Sequence, residues 1–180
     1  MLKKNLLVTL LFVFVAGCTT CKGVKTAPGG GEPPVILNSY AAKSIKPGAS
    51  WRIYLMAQDA DGDMKDIAAM LYQAGVGYYS TNFTPIKEAD RKNVAGYIFL
   101  DTPADSTFLW DELKLTVLVR DCQGNKSEPI KLPLRFDYGS KEKLPEEWQM
   151  AENHRLGAIL IDIVSSQRFN SSGANIVISP

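Results

Sequence analysis

Residues 113–120 read L-K-L-T-V-L-V-R. Leu113, Leu115, Val117 and Val119 fall on one side of an extended chain, and Lys114, Thr116, Leu118 and Arg120 on the other. Successive side chains of a strand point to opposite faces, so this period of two marks a half-buried strand. The same pattern places Trp51, Ile53, Leu55 and Ala57 together, and Ile130, Leu132, Leu134 and Phe136 together. Pro133 has no amide hydrogen to give a neighbour, which predicts a sheet edge for that last strand. Residues 35–40 and 94–100 read as further strands, and 67–72 as a strand or a short helix. Pro47-Gly48, Asp61-Gly62 and Gly124-Asn125 supply turns between these runs. Six or seven short strands in about 105 residues predict an antiparallel sandwich of two sheets.

The amino terminus carries a different signal. Lys3 and Lys4 precede an apolar run over residues 6–16, broken only by Thr9. That run is about half of the ~20 residues a membrane-crossing helix needs. A positive start, a short apolar middle and small residues at the end make a secretory signal. The end reads Val15-Ala16-Gly17-Cys18 and resembles the lipobox of bacterial lipoproteins. The resemblance implies removal of residues 1–17 and lipid on the thiol and amine of Cys18. Thr19, where an aspartate would hold the protein at the inner membrane, implies the outer membrane. An inner- or plasma-membrane anchor is the alternative. Each buried methylene contributes ~0.8 kcal/mol, so two or more acyl chains hold a protein on a bilayer where one barely does.

Residues 18–33 then form a tether rich in glycine and proline with no apolar period. Residues 34–138 hold the strands, and 139–180 form an extension of different composition. The formal charge is +1, and loss of Lys3 and Lys4 leaves the mature chain near −1. No basic block favours nucleic acid. Of the three cysteines, Cys18 takes the lipid, so Cys21 and Cys122 can pair in an oxidising compartment or remain free thiols, or Cys21 can itself be acylated.

Pro33-Pro34-Val35-Ile36, the run into Ala57-Gln58-Asp59-Ala60-Asp61-Gly62-Asp63, and the run into Arg120-Asp121-Cys122-Gln123-Gly124-Asn125 together resemble bacterial immunoglobulin-like domains of cell-surface proteins. The resemblance covers roughly residues 33–138. It implies a mainly β, immunoglobulin-like sandwich that holds, spaces or binds. The antibody marks are missing: Cys122 has no cysteine on an earlier strand of the sandwich.

Asp59, Asp61, Asp63 and Asp66 put four carboxylates in eight residues. Calcium favours several hard oxygen ligands, so Asp59, Asp61 and Asp63 are candidate ligands. An EF-hand fails on spacing, because Met64 and Met70 stand where its glycine and its bidentate glutamate belong. The plainer alternative is a wet Asp-Gly turn. No other cofactor is indicated. His154 is the single histidine, and neither a zinc spacing, a nucleophile elbow nor a phosphate-binding glycine loop occurs. Asp101 and Asp105 can flank a substrate but read as a solvated loop. Tyr72, Tyr78, Tyr79 and Phe83 can form a binding surface or cover a sheet edge.

Pro145 followed by Glu146 and Glu147 predicts a helix start, with negative charge at the positive end of the dipole. Residues 156–164 are the most apolar stretch of the mature chain and too short to span a bilayer. Helix and strand are both open there. The whole reads as a mainly β, immunoglobulin-like sandwich with a C-terminal helical extension, lipid-anchored in the envelope. The expected role is non-catalytic binding or support, with an envelope protein or polymer as partner. A periplasmic enzyme or small-ligand carrier, with a site between sandwich and extension, is the alternative.

Overall fold

A computed structural model describes residues 30–109, 111–139 and 142–167. The alternating runs form six long strands: β1 (Val35–Ala41), β3 (Ser50–Gln58), β4 (Met64–Gln73), β7 (Asn93–Asp101), β8 (Glu112–Asp121) and β9 (Ile130–Phe136). Residues 67–72, open between strand and helix in the sequence, lie within β4. Four shorter strands complete the set: β2 (Ser44–Ile45), β5 (Gly77–Tyr78), β6 (Asn82–Pro85) and β10 (Arg155–Ala158). They make two sheets. One has the order β1-β3-β7-β10, and the other β2-β9-β8-β4-β5, with β6 also on β4. All neighbours are antiparallel except β10 beside β7 and β2 beside β9.

The inward faces are those the alternation picks out. Trp51, Ile53, Leu55, Leu115, Val117 and Val119 are wholly buried between the sheets. Phe108 and Phe136 meet edge to face, ring centres 5.6 Å apart, at one end of this core. Trp51 donates its indole N–H to the Ala42 carbonyl at 2.8 Å, where the chain passes from β1 in one sheet to β2 in the other. A buried indole hydrogen needs such a partner, so this bond pins the crossing.

β9, expected at a sheet edge, is instead flanked by β2 at its last two residues, and that side is open only further back, at Pro133. The amides of Arg135 and Asp137 donate outward, to Lys43 and Ile45. Residues two apart share a direction, so the Pro133 nitrogen faces the same side, where β2 does not reach.

The extension departs from expectation. From Pro145 the chain makes two short 3₁₀ turns, Glu146–Trp148 and Ala151–Asn153, in place of the expected helix, and then becomes β10. Starting an α-helix fixes several residues for one bond, and a ten-residue segment gains little from it. Tertiary burial decides instead. Trp148 is almost fully buried on the outer face of the first sheet, against Tyr54 at 5.8 Å between ring centres, with Tyr40, Met56, Tyr97 and Leu144 around it. The sandwich thus has a second, smaller core on its outside.

Past Ala158 the chain has no regular structure through Ser165. Ile159 and Ile163 are buried in the main core, while Leu160 is exposed. Ile159 donates its amide to the Phe99 carbonyl at 2.7 Å. Gly157 lies against Thr84 of β6, so the segment runs along the gap between β7 of one sheet and β6 of the other. Residues 156–164 therefore cover their own domain's seam. No helix among the described residues is long and apolar enough to cross a membrane.

Candidate functional site

The register gives the sandwich two poles. At one, Val35 pairs with Gln58, Gln58 with Asn93, and Met64 with Asp121. At the other lie Ala41, Ser50 and Asp101, with Gln73 and Glu112 in the second sheet. The aspartate loop 59–63 and the loop 121–127 share the first pole. Asp59 donates its amide to the Lys92 carbonyl, and Cys122 donates to the Asp63 carbonyl, both at 3.0 Å. Gly62 and Gly124 take positive φ there, which the two Asp-Gly and Gly-Asn turns require.

The candidate calcium ligands diverge. Asp61 faces outward and accepts the Glu32 amide at 2.9 Å. Asp59 is buried and accepts the Asp63 amide at 2.8 Å, closing its own turn. Asp63 is also buried and accepts from the Gln123 side chain at 3.3 Å. Burial, then the hydrogen bond with Asp59, pushes the Asp63 carboxyl up to about 6. Asp59 Oδ1, Asp63 Oδ1 and Gln123 Oε1 have no protein partner. No three His, Cys, Asp or Glu side chains among the described residues gather around one point that could hold a metal. Asp66 leaves the group altogether. It lies on β4 and takes two 2.7 Å bonds from Arg120 of β8.

Asp121 organises the neighbouring loop. Its Oδ1 accepts the amides of Gln123 and Asn125, and its Oδ2 accepts the Asn125 side chain at 2.8 Å. Asn125 also donates to the Gly30 carbonyl at 3.2 Å. The incoming chain is therefore docked on both loops, through Gly30 on the 121–127 loop and Glu32 on the aspartate loop. Cys122 is disulfide-bonded. Cys18 and Cys21 lie outside the described residues, as does the lipobox.

The opposite pole carries a cleft of about 800 Å³. Tyr40, Trp51 and Tyr54 line it from β1 and β3, Ser44 from β2 and Lys46 from the turn after it, and Glu142, Lys143, Leu144 and Glu152 from the extension. Glu142 accepts from the Tyr40 hydroxyl and from the Lys43 amide, both at 3.3 Å. Burial, then the Glu142 charge, raises the Tyr40 phenol above its ordinary range. Arg52 and Glu152 pair at 3.1 Å across the same wall. The arrangement offers aromatic carbon beside both signs of charge. No sequence signal singled it out, because its two walls lie about a hundred residues apart.

The aromatic cluster divides. Tyr72 and Tyr78 are exposed, and their rings meet tilted, with centres 4.9 Å apart, on the second sheet's outer face. Phe83 lies on that face under the Arg120 guanidinium at 4.1 Å. Tyr79 instead turns in. Its hydroxyl donates to Gln73 Oε1 at 2.5 Å and accepts the Val164 amide at 3.2 Å. Gln73, wholly buried, donates to Asp111 and to the Val164 carbonyl, and Ser166 donates to Asp111. This buried polar group holds the end of the extension.

The candidate catalytic residues have structural work. His154 Nδ1 donates to the Ala95 carbonyl at 2.8 Å, with Asp90 3.6 Å from Nε2. Asp101 accepts from Ser50, and Asp105 caps the Ser106–Phe108 turn by accepting the Thr107 amide at 2.9 Å.

Comparison with protein-family models and with curated proteins gives no match. Among solved structures, the chain is similar to the PKD domain of an M14-like peptidase from the archaeon Thermoplasmatales SCGC AB-540-F20. That likeness is 15% identical, covers 59% of this chain and 97% of that one, and has a TM-score of 0.39. It is also similar to Spo0M, a sporulation control protein from Bacillus subtilis, at 10% identity, 60% and 51% coverage and a TM-score of 0.41. The CARDB domain of the PF1109 protein from Pyrococcus furiosus follows at 8% identity, 58% and 86% coverage and 0.30. At these TM-scores the likenesses carry nothing about function. The chain is mainly β and built of two sheets, on its own strand order.

Proposed function

We propose that this chain is a lipid-anchored envelope protein presenting one immunoglobulin-like sandwich that binds or supports rather than catalyses. The strand order supports the family of folds. β1-β3-β7 opposite β9-β8-β4, with β2 crossing to run parallel with β9, is how an immunoglobulin-like sandwich arranges its strands. The single observation that carries the role is the separation of poles. Residues 30–32 enter at the aspartate pole, and the cleft opens at the other. A domain held at one end presents its far end to partners.

The anchor is tested by palmitate labelling and fractionation of the wild type and of Cys18→Ser. Loss of label, processing and membrane fractionation together supports it. A wild type that never takes label sinks it. The role is tested with a photo-crosslinking residue at Lys46, on the cleft, in intact cells. One stoichiometric protein or glycan adduct supports the binding role.

A second reading has an observation of its own. The cleft lies between sandwich and extension, where a small-ligand or catalytic site is expected. Native mass spectrometry of the purified protein separates the two, since a retained small molecule favours this reading.

A further inference from the structure

Cys122 stands in the loop that receives the incoming chain, and it is disulfide-bonded. The chain has only two other cysteines, Cys18 and Cys21. Both precede Gly30, whose carbonyl is held by Asn125 three residues from Cys122. The extended chain reaches ~3.4 Å per residue, so either cysteine can return to that loop. Chemistry decides between them. A Cys18 sulfur carrying lipid through a thioether has no thiol to oxidise.

We infer that Cys21 pairs with Cys122 and staples the aspartate pole against the lipid sheet, so that this pole is the membrane-facing surface of the domain. The inference rests on the lipid-anchor reading and adds the stance of the domain on its membrane. Cys21 is three residue steps on from Cys18, a leash of ~10 Å at full stretch. Without the staple the leash runs from Cys18 to Gly30, ~40 Å. The bridge forms by loss of two thiol hydrogens to an oxidant of the disulfide-donor class, which an oxidising envelope compartment supplies. The stapled domain stands at a fixed height with the cleft outward, where an unstapled one would wander. The surroundings of Cys122 fit this surface: Asp121 is consumed in turn bonds, Asp59 and Asp63 are buried, and Asp61 is held by the Glu32 amide. Lys92, beside Gly62, and Lys126, in the second loop, are exposed at the same pole and offset part of the acid charge that would face an anionic bilayer.

Two measurements on the full lipidated protein test it. Non-reducing peptide mapping is expected to recover Cys21 joined to Cys122. A Cys18–Cys122 peptide, or Cys21 recovered as a free thiol, overturns the inference. Palmitate labelling of the same sample reports on the anchor separately. Label without the Cys21 bridge sinks only the staple, and the bridge without label sinks the anchor and with it the membrane stance. Neutron reflectometry on a supported phosphatidylethanolamine–phosphatidylglycerol bilayer then reads the height. The expected result is a narrow protein layer against the headgroups. In the Cys21→Ser/Cys122→Ser variant it broadens outward by ~30 Å, the difference between the two leashes. Equal profiles in a variant still folded by circular dichroism overturn the stance.

Discussion

Asp63 lies between Asp59 and Gln123, with Asp121 near, and its carboxyl is pushed up to about 6 by burial and by the hydrogen bond with Asp59. A folded-state value above the unfolded one means that folding takes up a proton. The stabilisation from this group is complete below the unfolded value near 3.8 and is lost as pH rises through about 6. Asp63→Asn keeps a donor to Asp59 and has no proton to lose. The variant should therefore gain about 1–2 kcal/mol over wild type at neutral pH, and the advantage should vanish near pH 4. Urea unfolding of both proteins across that range checks it. A constant difference at all pH values would remove Asp63 as the titrating group. The four aspartates in eight residues were visible in the sequence, but their fates were not. Strand register takes Asp66 to Arg120, and the Lys92 and Cys122 loops bury Asp59 and Asp63. Those partners are 30 to 60 residues away, beyond any local pattern.

At the scale of elements, β3, β8 and β9 were legible because seven or more alternating residues show a period of two, whereas β4, buried on both faces over much of its length, does not alternate and left 67–72 open between strand and helix. β2, β5, β6 and β10 have two to four residues each, too few to repeat anything. The helix expected at Pro145 failed for a related reason. Proline followed by acid marks the start of any helical turn, and the length is set afterwards by what the turn buries. Here Trp148 fixes it against Tyr54. The extension then works as a third wall, sealing the seam with Ile159 and Ile163 and locking its end on Gln73, Tyr79 and Asp111. Gly157 is the tight point, since a Cβ there meets the Thr84 methyl. Gly157→Val should release β10 and strip hydrogen-exchange protection from the Ile159 amide while β8 stays protected. Trp148→Ala should cost about 3–5 kcal/mol if extension and sandwich unfold together. If they unfold apart, the Ile159 amide loses hydrogen-exchange protection first and the main transition shifts less. Removal of residues 145–180 with no change in stability would show that the extension serves something other than this domain.

For the whole molecule, charge and lipid make separable demands. The mature chain carries a charge near −1, and its basic side chains are shared among several faces, some already paired: Arg120 with Asp66, Arg52 with Glu152. A surface of that kind has little long-range attraction for an anionic bilayer, and salt screens what remains within about 10 Å. Attachment should then depend on acyl chains alone. The unlipidated mature domain, mixed with phosphatidylglycerol vesicles, is expected in the supernatant at low and at high salt. The lipidated protein is expected in the pellet at both, since each buried methylene adds ~0.8 kcal/mol irrespective of ionic strength. Salt-sensitive pelleting of the unlipidated form would mean that the folded surface itself recognises lipid. The aspartate pole would then be an electrostatic contact rather than the place where a tether happens to enter, and its loops, with Lys92 and Lys126 beside them, would be the first residues to change.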